Sequence, residues 1–281
     1  MKIAVTGATG QLGRLIIQRL RGKLQDSGIV ALARARAKAA DLGVEVREAD
    51  YARPDTLGPA LTGIDTLMLV SGNEVGQRAP QHRNLITAAQ QAGVRRIVYT
   101  SLLRADSSPL SLAPEHAQTE AMLAGSGLDY TVLRNGWYTE NYLAAAPAAV
   151  ANGRLAGSAG EGRISSATRA DFADAAVAVL TGEGHHGKTY ELAGDSAYTL
   201  AELAAEISRQ SGKDVPYVNL PPAEYAAALI ATGLPAQWAE ALAAMDVEAS
   251  RGALFHEGRE LSRLIGRPTT SLEDAVAAAL A

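Results

Sequence analysis

Cysteine is absent from the 281 residues. Disulfides, thiolate metal sites and thiol nucleophiles are thereby excluded. The five histidines (His82, His116, His185, His186 and His256) show no metal-ligand spacing, and no metal site is expected. No basic run exists. A net charge of −4 and a pI near 5.8 leave no footprint for nucleic acid. No apolar run approaches the ~20 residues of a membrane span. No signal-like segment precedes the first apolar strand, so a cytoplasmic protein without a membrane span is expected. Aromatics make up only 5% of the chain, which makes an adjacent pair such as Trp137-Tyr138 conspicuous. What is plentiful is hydrophobic mass, 47% of residues. That is enough for a large core in one large domain, alone or with a small appendage.

The densest signal lies at the start of the chain. An apolar run over residues 2–6 reads as a buried strand, and residues 11–20 read as an amphipathic helix. Between them stands Gly7-Ala8-Thr9-Gly10-Gln11-Leu12-Gly13, with three glycines at a spacing of three. A strand turning tightly into a helix points free N–H groups and a positive dipole end at one spot, which suits a pyrophosphate. Gly7 permits the turn, Gly10 admits a phosphate to the backbone, and Gly13 lets the helix pack on the strand. An ordinary strand–turn–helix corner is the alternative.

Further strands are predicted at 29–33, 44–48, 66–71, 96–101, 129–133 and 188–192. Helices are predicted at 35–41, 54–61, 80–92, 115–124, 138–151, 171–180 and 199–210. Thr199 and Glu202 have capping-box spacing. Gly93 and either Gly125 or Gly127 stand where helix ends take positive φ. From about residue 215 the chain is Ala-rich and reads as helical, interrupted by Gly233 and Pro235. The alternation predicts an α/β, doubly wound parallel sheet with a small, mostly helical C-terminal lobe. Residues 1–136 and about 166–194 would form the nucleotide domain. Residues of about 137–165 and 195–281 would form the smaller lobe over the sheet's C-terminal edge, where ligands of open α/β sheets bind.

Arg34 closes the second strand, 21 residues past Gly13. At about that distance an NAD-specific site carries an acid for the ribose 2′-hydroxyl. Here Arg34, Arg36 and Lys38 follow one another at alternate positions instead. A guanidinium grips a 2′-phosphate that an acid would repel, so NADPH is favoured over NADH and Arg34 is its expected anchor. Arg36 and Lys38 would serve equally as a solvated face. Asp50 could accept from the adenine amino group or cap the next helix.

Residues 6–13, 98–101 and 133–141 together resemble the NmrA-like branch of the atypical short-chain dehydrogenases/reductases. Residues 74–84, 100–103 and 166–171 resemble, more narrowly, its quinone-reducing members, and the likeness runs the full length of the chain. It implies a Rossmann-like domain with NADPH in the cleft beside a small lobe. Ser71, Gly72, Asn73, Arg78 and Asn141 would join the glycine motif in holding the cofactor. Asn135, Trp137, Tyr138 and Arg169 would flank the nicotinamide and the substrate, the aromatic pair offering a wall to a flat quinone. A homodimer is conceivable from the Ala-rich helices.

Most short-chain dehydrogenases use Tyr-x-x-x-Lys as their acid/base unit. With Glu120 resembling the family glutamate four residues after that lysine, His116 takes the lysine place and Leu112 the tyrosine place. The proton-relay pair is missing, which argues against alcohol oxidation. A reduced quinone anion is a weak base and can draw its proton from water, so the expected function is NADPH-dependent quinone reduction by direct hydride transfer without flavin. His116 could donate to a quinone or ribose oxygen, or do nothing. Ser101 could bond near the nicotinamide. Two rival readings fit the same residues: a non-catalytic NADP(H) sensor with a protein partner, or a reductase of another flat, electron-poor molecule such as a triphenylmethane dye.

Overall fold

The computed structural model describes residues 1–281. Nine strands are present: β1 (Ile3–Val5), β2 (Ile29–Ala33), β3 (Glu45–Glu48), β4 (Thr66–Leu69), β5 (Arg96–Leu102), β6 (Asp129–Asn135), β7 (Leu155–Gly157), β8 (Thr189–Leu192) and β9 (Tyr217–Asn219). The helices are α1 (Gln11–Arg21), α2 (Pro54–Leu61), α3 (Arg78–Gln91), α4 (Ala113–Ala124), α5 (Glu140–Leu143), α6 (Ala146–Asn152), α7 (Arg169–Thr181), α8 (Leu200–Ser211), α9 (Pro222–Ala231), α10 (Ala236–Ser250), α11 (Glu260–Ile265) and α12 (Leu272–Leu280). Seven strands form one sheet in the order β3-β2-β1-β4-β5-β6-β8, all parallel. It is the doubly wound, Rossmann-like sheet expected.

The central strands are apolar on both faces because helices cover both. Alternate residues of β1 serve opposite cores. Ile3 and Val5 join α1 and α7 through Ile16, Ile17, Phe172 and Ala176. Ala4 joins α2, α3 and α4 through Leu57, Leu85, Ala89 and Leu123. Each large aliphatic side chain so buried stabilises the fold by about 1.5–3 kcal/mol. A third core gathers α6, α8, α12 and β7 around Ala146, Leu155, Leu203, Ile207 and Val276.

β1 lies between β2 and β4, where the winding of the sheet reverses. Gly7 follows at φ +58°, a conformation that side chains resist. Helix α1 then starts at Gln11, with Gly10 in the N-cap position and no side chain capping its first turn. Those N–H groups are left facing the end of the sheet. The helix sits hard against the turn.

Several expectations need correction. The predicted helix at 35–41 is a 3₁₀ run, Arg36–Leu42, closed by Gly43 at φ +69°. The single helix at 138–151 is two, α5 and α6. Pro147 stands in the first turn of α6, and in a continuous helix its ring would strike the Leu143 carbonyl. Helix α3 begins two residues before the prediction, because Pro80 lies in its first turn, where no N–H partner is needed. The stretch after 215 is not wholly helical, since β9 pairs with β7 in a small parallel sheet. Three-residue strands carry too few positions for a period to show. Positive φ falls on Gly93 and Gly127, not Gly125. The Thr199–Glu202 capping box forms with both of its bonds.

A Cβ on Gly13 would lie 2.3 Å from the Gly7 carbonyl oxygen and 2.8 Å from its carbon, and backbone yields only if the turn opens. Gly13→Ala is therefore expected to cost about 1–3 kcal/mol by overpacking. Gly125→Ala, at the C-cap of α4 with φ −85° and the nearest contact of the new carbon at an ordinary 3.5 Å, should stabilise by about 0.4–1 kcal/mol. Thermal melts of the two variants should move in opposite directions from the parent.

Candidate active site

A cavity of about 530 Å³ opens beyond the C-terminal ends of β1, β2 and β4. That volume falls in the range of small-molecule and cofactor sites. Gly7, Thr9, Gly10, Gln11, Leu12 and Gly13 form one wall. Ala8 is fully buried behind it, its N–H donated to the Leu32 carbonyl of β2. It steadies the turn without lining the cavity.

Arg34 lines the outer end of the cavity, whereas Arg36 and Lys38 are exposed and do not reach it. Arg34 pairs with Glu74 at 2.8 Å. Asp50 also lines the cavity. Its Oδ1 accepts the Ala52 N–H at 3.0 Å, a turn of the chain rather than a cap, and α2 is preceded by Arg53 with no side-chain cap. The helix-capping alternative for Asp50 is thus ruled out.

The segment after β4 has no regular structure and is held by side chains. The Ser71 N–H goes to Thr100 Oγ1 at 2.9 Å, and the Gly72 N–H to His82 Nε2 at 3.0 Å. Glu115, on α4, accepts the N–H groups of Gly76 and Arg78, each at 3.0 Å. Ser71, Gly72 and Asn73 line the cavity as a result.

Arg78 is 8% exposed and lines the cavity, yet it makes no ion pair. Its Nε donates to the Gly72 carbonyl at 2.5 Å, and Nη1 meets His116 Nε2 at 3.3 Å. A buried cation without a counter-ion is costly.

His116 is buried, 4% exposed, and does not line the cavity. An arginine only donates, so Nε2 of His116 accepts and Nδ1 is assigned the proton, facing the Tyr99 hydroxyl at 2.8 Å. Burial, then the Arg78 charge, push the His116 pKa down to about 3. His82 is held in the same way. It accepts from Gly72 and meets Thr119 Oγ1 at 3.0 Å, and burial followed by Arg78 lowers it to about 4. The expectation that His116 donates to substrate is therefore corrected. It is a neutral prop behind Arg78. Ser101 is likewise committed elsewhere, its hydroxyl donating to Glu120 at 2.5 Å. Glu120 in turn binds Arg134 at 2.7 Å.

At the inner end, Tyr138 and Arg169 line the cavity. The Arg169 guanidinium lies 4.4 Å from the Tyr138 ring centre, and Phe172 packs edge-on at 5.4 Å. Burial holds the Tyr138 phenol above its ordinary pKa, against the opposing effects of the Asn135 side chain and Arg169. Arg169 is fixed by Glu140 at 3.3 Å and by Asn141 Oδ1 at 2.8 Å. Asn141 itself is exposed and off the cavity wall, so it acts on Arg169 rather than lining the cofactor site. Asn135 and Trp137 do not line the cavity either. The Asn135 Oδ1 and the Trp137 indole N–H are nonetheless buried with no hydrogen-bond partner. Such atoms cost about 1–3 kcal/mol each when left unmet.

Glu74 and Gln81 line the cavity and were not anticipated. Glu74 stands 40 residues from Arg34 in the chain, and only the order β2-β1-β4 brings the two together.

Comparison with known proteins agrees with this geometry. The chain is 58% identical to quinone oxidoreductase 2 of Escherichia coli over 277 residues, 98% of this chain and 97% of that one. The crystal structure of the NADPH-dependent quinone oxidoreductase of E. coli complexed with NADPH superposes with a TM-score of 0.96 at 57% identity, covering 99% of this chain and all of that one. Triphenylmethane reductase of Citrobacter sp., complexed with NADP(H), gives a TM-score of 0.96 at 38% identity, over 99% and 100% of the two chains. Residues 7–183 match the family model described as NAD(P)H-binding, and the chain belongs to that NAD(P)H-binding family.

Proposed function

We propose that the chain is an NADPH-dependent quinone oxidoreductase working without flavin. The observation that carries this is the cleft itself, with an exposed arginine at one end, a buried unpaired arginine along its wall, and a tyrosine–arginine wall at the other end. The full-length likeness to the E. coli enzyme supports it.

When bound, NADPH supplies the hydride. The protein's residues bind, orient and exclude water. The uncapped N-terminus of α1 and Arg78 hold the diphosphate, and Arg34 anchors the 2′-phosphate. Tyr138 offers its ring to a flat substrate, and the Arg169 charge beside it favours the negative oxygen that develops on reduction. No side chain need deliver a proton, in keeping with the missing Tyr-x-x-x-Lys pair.

NADPH oxidation should be followed with a simple benzoquinone, with no flavin added and NADH run in parallel. Rapid consumption is expected with quinone present. Tyr138→Ala should lower kcat/KM about tenfold or more, equivalent to ~1.4 kcal/mol of lost stacking, while Tyr138→Phe stays near the parent. Tight NADPH binding with no turnover on any quinone would transfer the assignment to the sensor reading. Turnover on triphenylmethane dyes alone would transfer it to the dye reductases.

Both buried imidazoles fold with pKa values below the ordinary 6.5. Below pH 6.5 the unfolded chain takes up protons that the folded chain refuses. Stability is therefore full above that value and declines toward pH 4 for His82 and pH 3 for His116. Each imidazole contributes a slope approaching ~1.4 kcal/mol per pH unit. Denaturant unfolding between about pH 7 and 4.5 should show that decline. His116→Gln should flatten it by one proton. Turnover across the same range should show no histidine limb.

A further inference from the structure

The second strand lacks the acid that marks an NAD site, but the fold delivers one from elsewhere. Arg34 directly follows β2, and Glu74 lies in the segment following β4. One strand, β1, separates them, so the two strand ends are about 10 Å apart, within the joint span of an arginine and a glutamate. Glu74 Oε1 accepts from Arg34 Nη1 at 2.8 Å. Its Oε2 accepts from Gln81 Nε2 at 2.7 Å. Gln81 is 8% exposed on α3, so the carboxylate is aimed at Arg34 by a fixed donor rather than by chance. All three residues line the cavity.

We propose that Glu74 is a specificity-determining residue that restrains the preference for NADPH over NADH. The inference rests on Arg34 being the 2′-phosphate anchor. A phosphate on Arg34 competes with Glu74 for the guanidinium, one Nη1 donor of which is already given to the carboxylate. Glu74 must yield that donor or stand beside a group of the same sign, and both oppose the phosphorylated cofactor. A 2′-hydroxyl meets no such opposition. It is a donor, and a carboxylate at the same place is the acceptor that NAD-specific sites use. Arg34 and Glu74 thus pull the selectivity in opposite directions from one spot.

The test is a titration of NADPH and NADH against the full chain, as the parent, Glu74→Gln, Arg34→Gln and the double variant, at low and high salt. Glu74→Gln keeps its bond to Gln81 through the amide oxygen and turns its NH₂ toward Arg34. It should tighten NADPH about 3–10-fold and leave NADH unchanged or weaker, since an exposed pair and a like-charge contact are both removed. The selectivity ratio should rise at least about threefold, and the gain should shrink in salt and be smaller on the Arg34→Gln background. A ratio that collapses with Arg34→Gln but does not rise with Glu74→Gln overturns this proposal alone. A ratio indifferent to Arg34→Gln removes the anchor and overturns both readings.

Discussion

No methyl group fits between Gly13 and the Gly7 carbonyl, where a Cβ would sit 2.3 Å from the oxygen, and the cleft depends on that closeness. Helix α1 is seated directly on the end of β1. Its first turn, uncapped by any side chain, therefore faces the space beyond the sheet rather than solvent at large. The seat is defended from behind. Ala8 bonds to β2, Thr6 Oγ1 accepts the Val70 N–H of the next crossover at 2.9 Å, and α1 is tied to α7 through Arg19 and Asp174 at 2.9 Å. The positive end of a helix, two strand ends and one irregular segment then converge on one place, as the switch point of a doubly wound sheet requires.

Charge in the cleft follows a second constraint. Arg78 is buried without a carboxylate, and the groups beside it are chosen so that it stays unneutralised. Its neighbours are a carbonyl and the lone pair of a neutral imidazole. A glutamate in place of His116 would close an ion pair and neutralise a charge now open to the cleft. The imidazole supplies an acceptor with no net charge, and Arg78 in turn helps to keep it neutral. Glu115 is close, yet it is engaged by two backbone N–H groups, which fixes the start of α3 and keeps its charge off the guanidinium.

Much of this was legible in the residues. The glycine triplet, the order of strands and helices and the cation at Arg34 follow from local rules of turn geometry, period and charge, and each shows in a window of a few residues. What stayed hidden depends on contacts across the chain. Glu74 looks like a loop acid until the sheet order sets it against Arg34. Asn141, placed by resemblance in the cofactor site, is turned to Arg169 because α5 ends after a single turn. The split between α5 and α6 was visible in principle, since Pro147 forbids a continuous helix through Leu143. The β7–β9 pair was not, because three residues carry no readable period. Burial of His116 could not be inferred from helix register alone. Its position on α4 gave its face, but the depth of that face is set by Tyr99 and Arg78 on two other elements.

The histidine in the lysine's place then has a physical meaning. A lysine there would set a second cation beside Arg78, and two like charges in a buried site repel. With Arg78 drawn from α3 to serve the cleft, the α4 position no longer needs a charge; it needs a neutral acceptor that holds a guanidinium still. Imidazole meets that need when burial keeps it unprotonated. The partner tyrosine becomes dispensable for the same reason, because its phenol served to pass a proton that a reduced quinone can take from water. The absence of the pair and the presence of the buried arginine thus fit one arrangement, a buried cation facing the cleft and held by neutral acceptors.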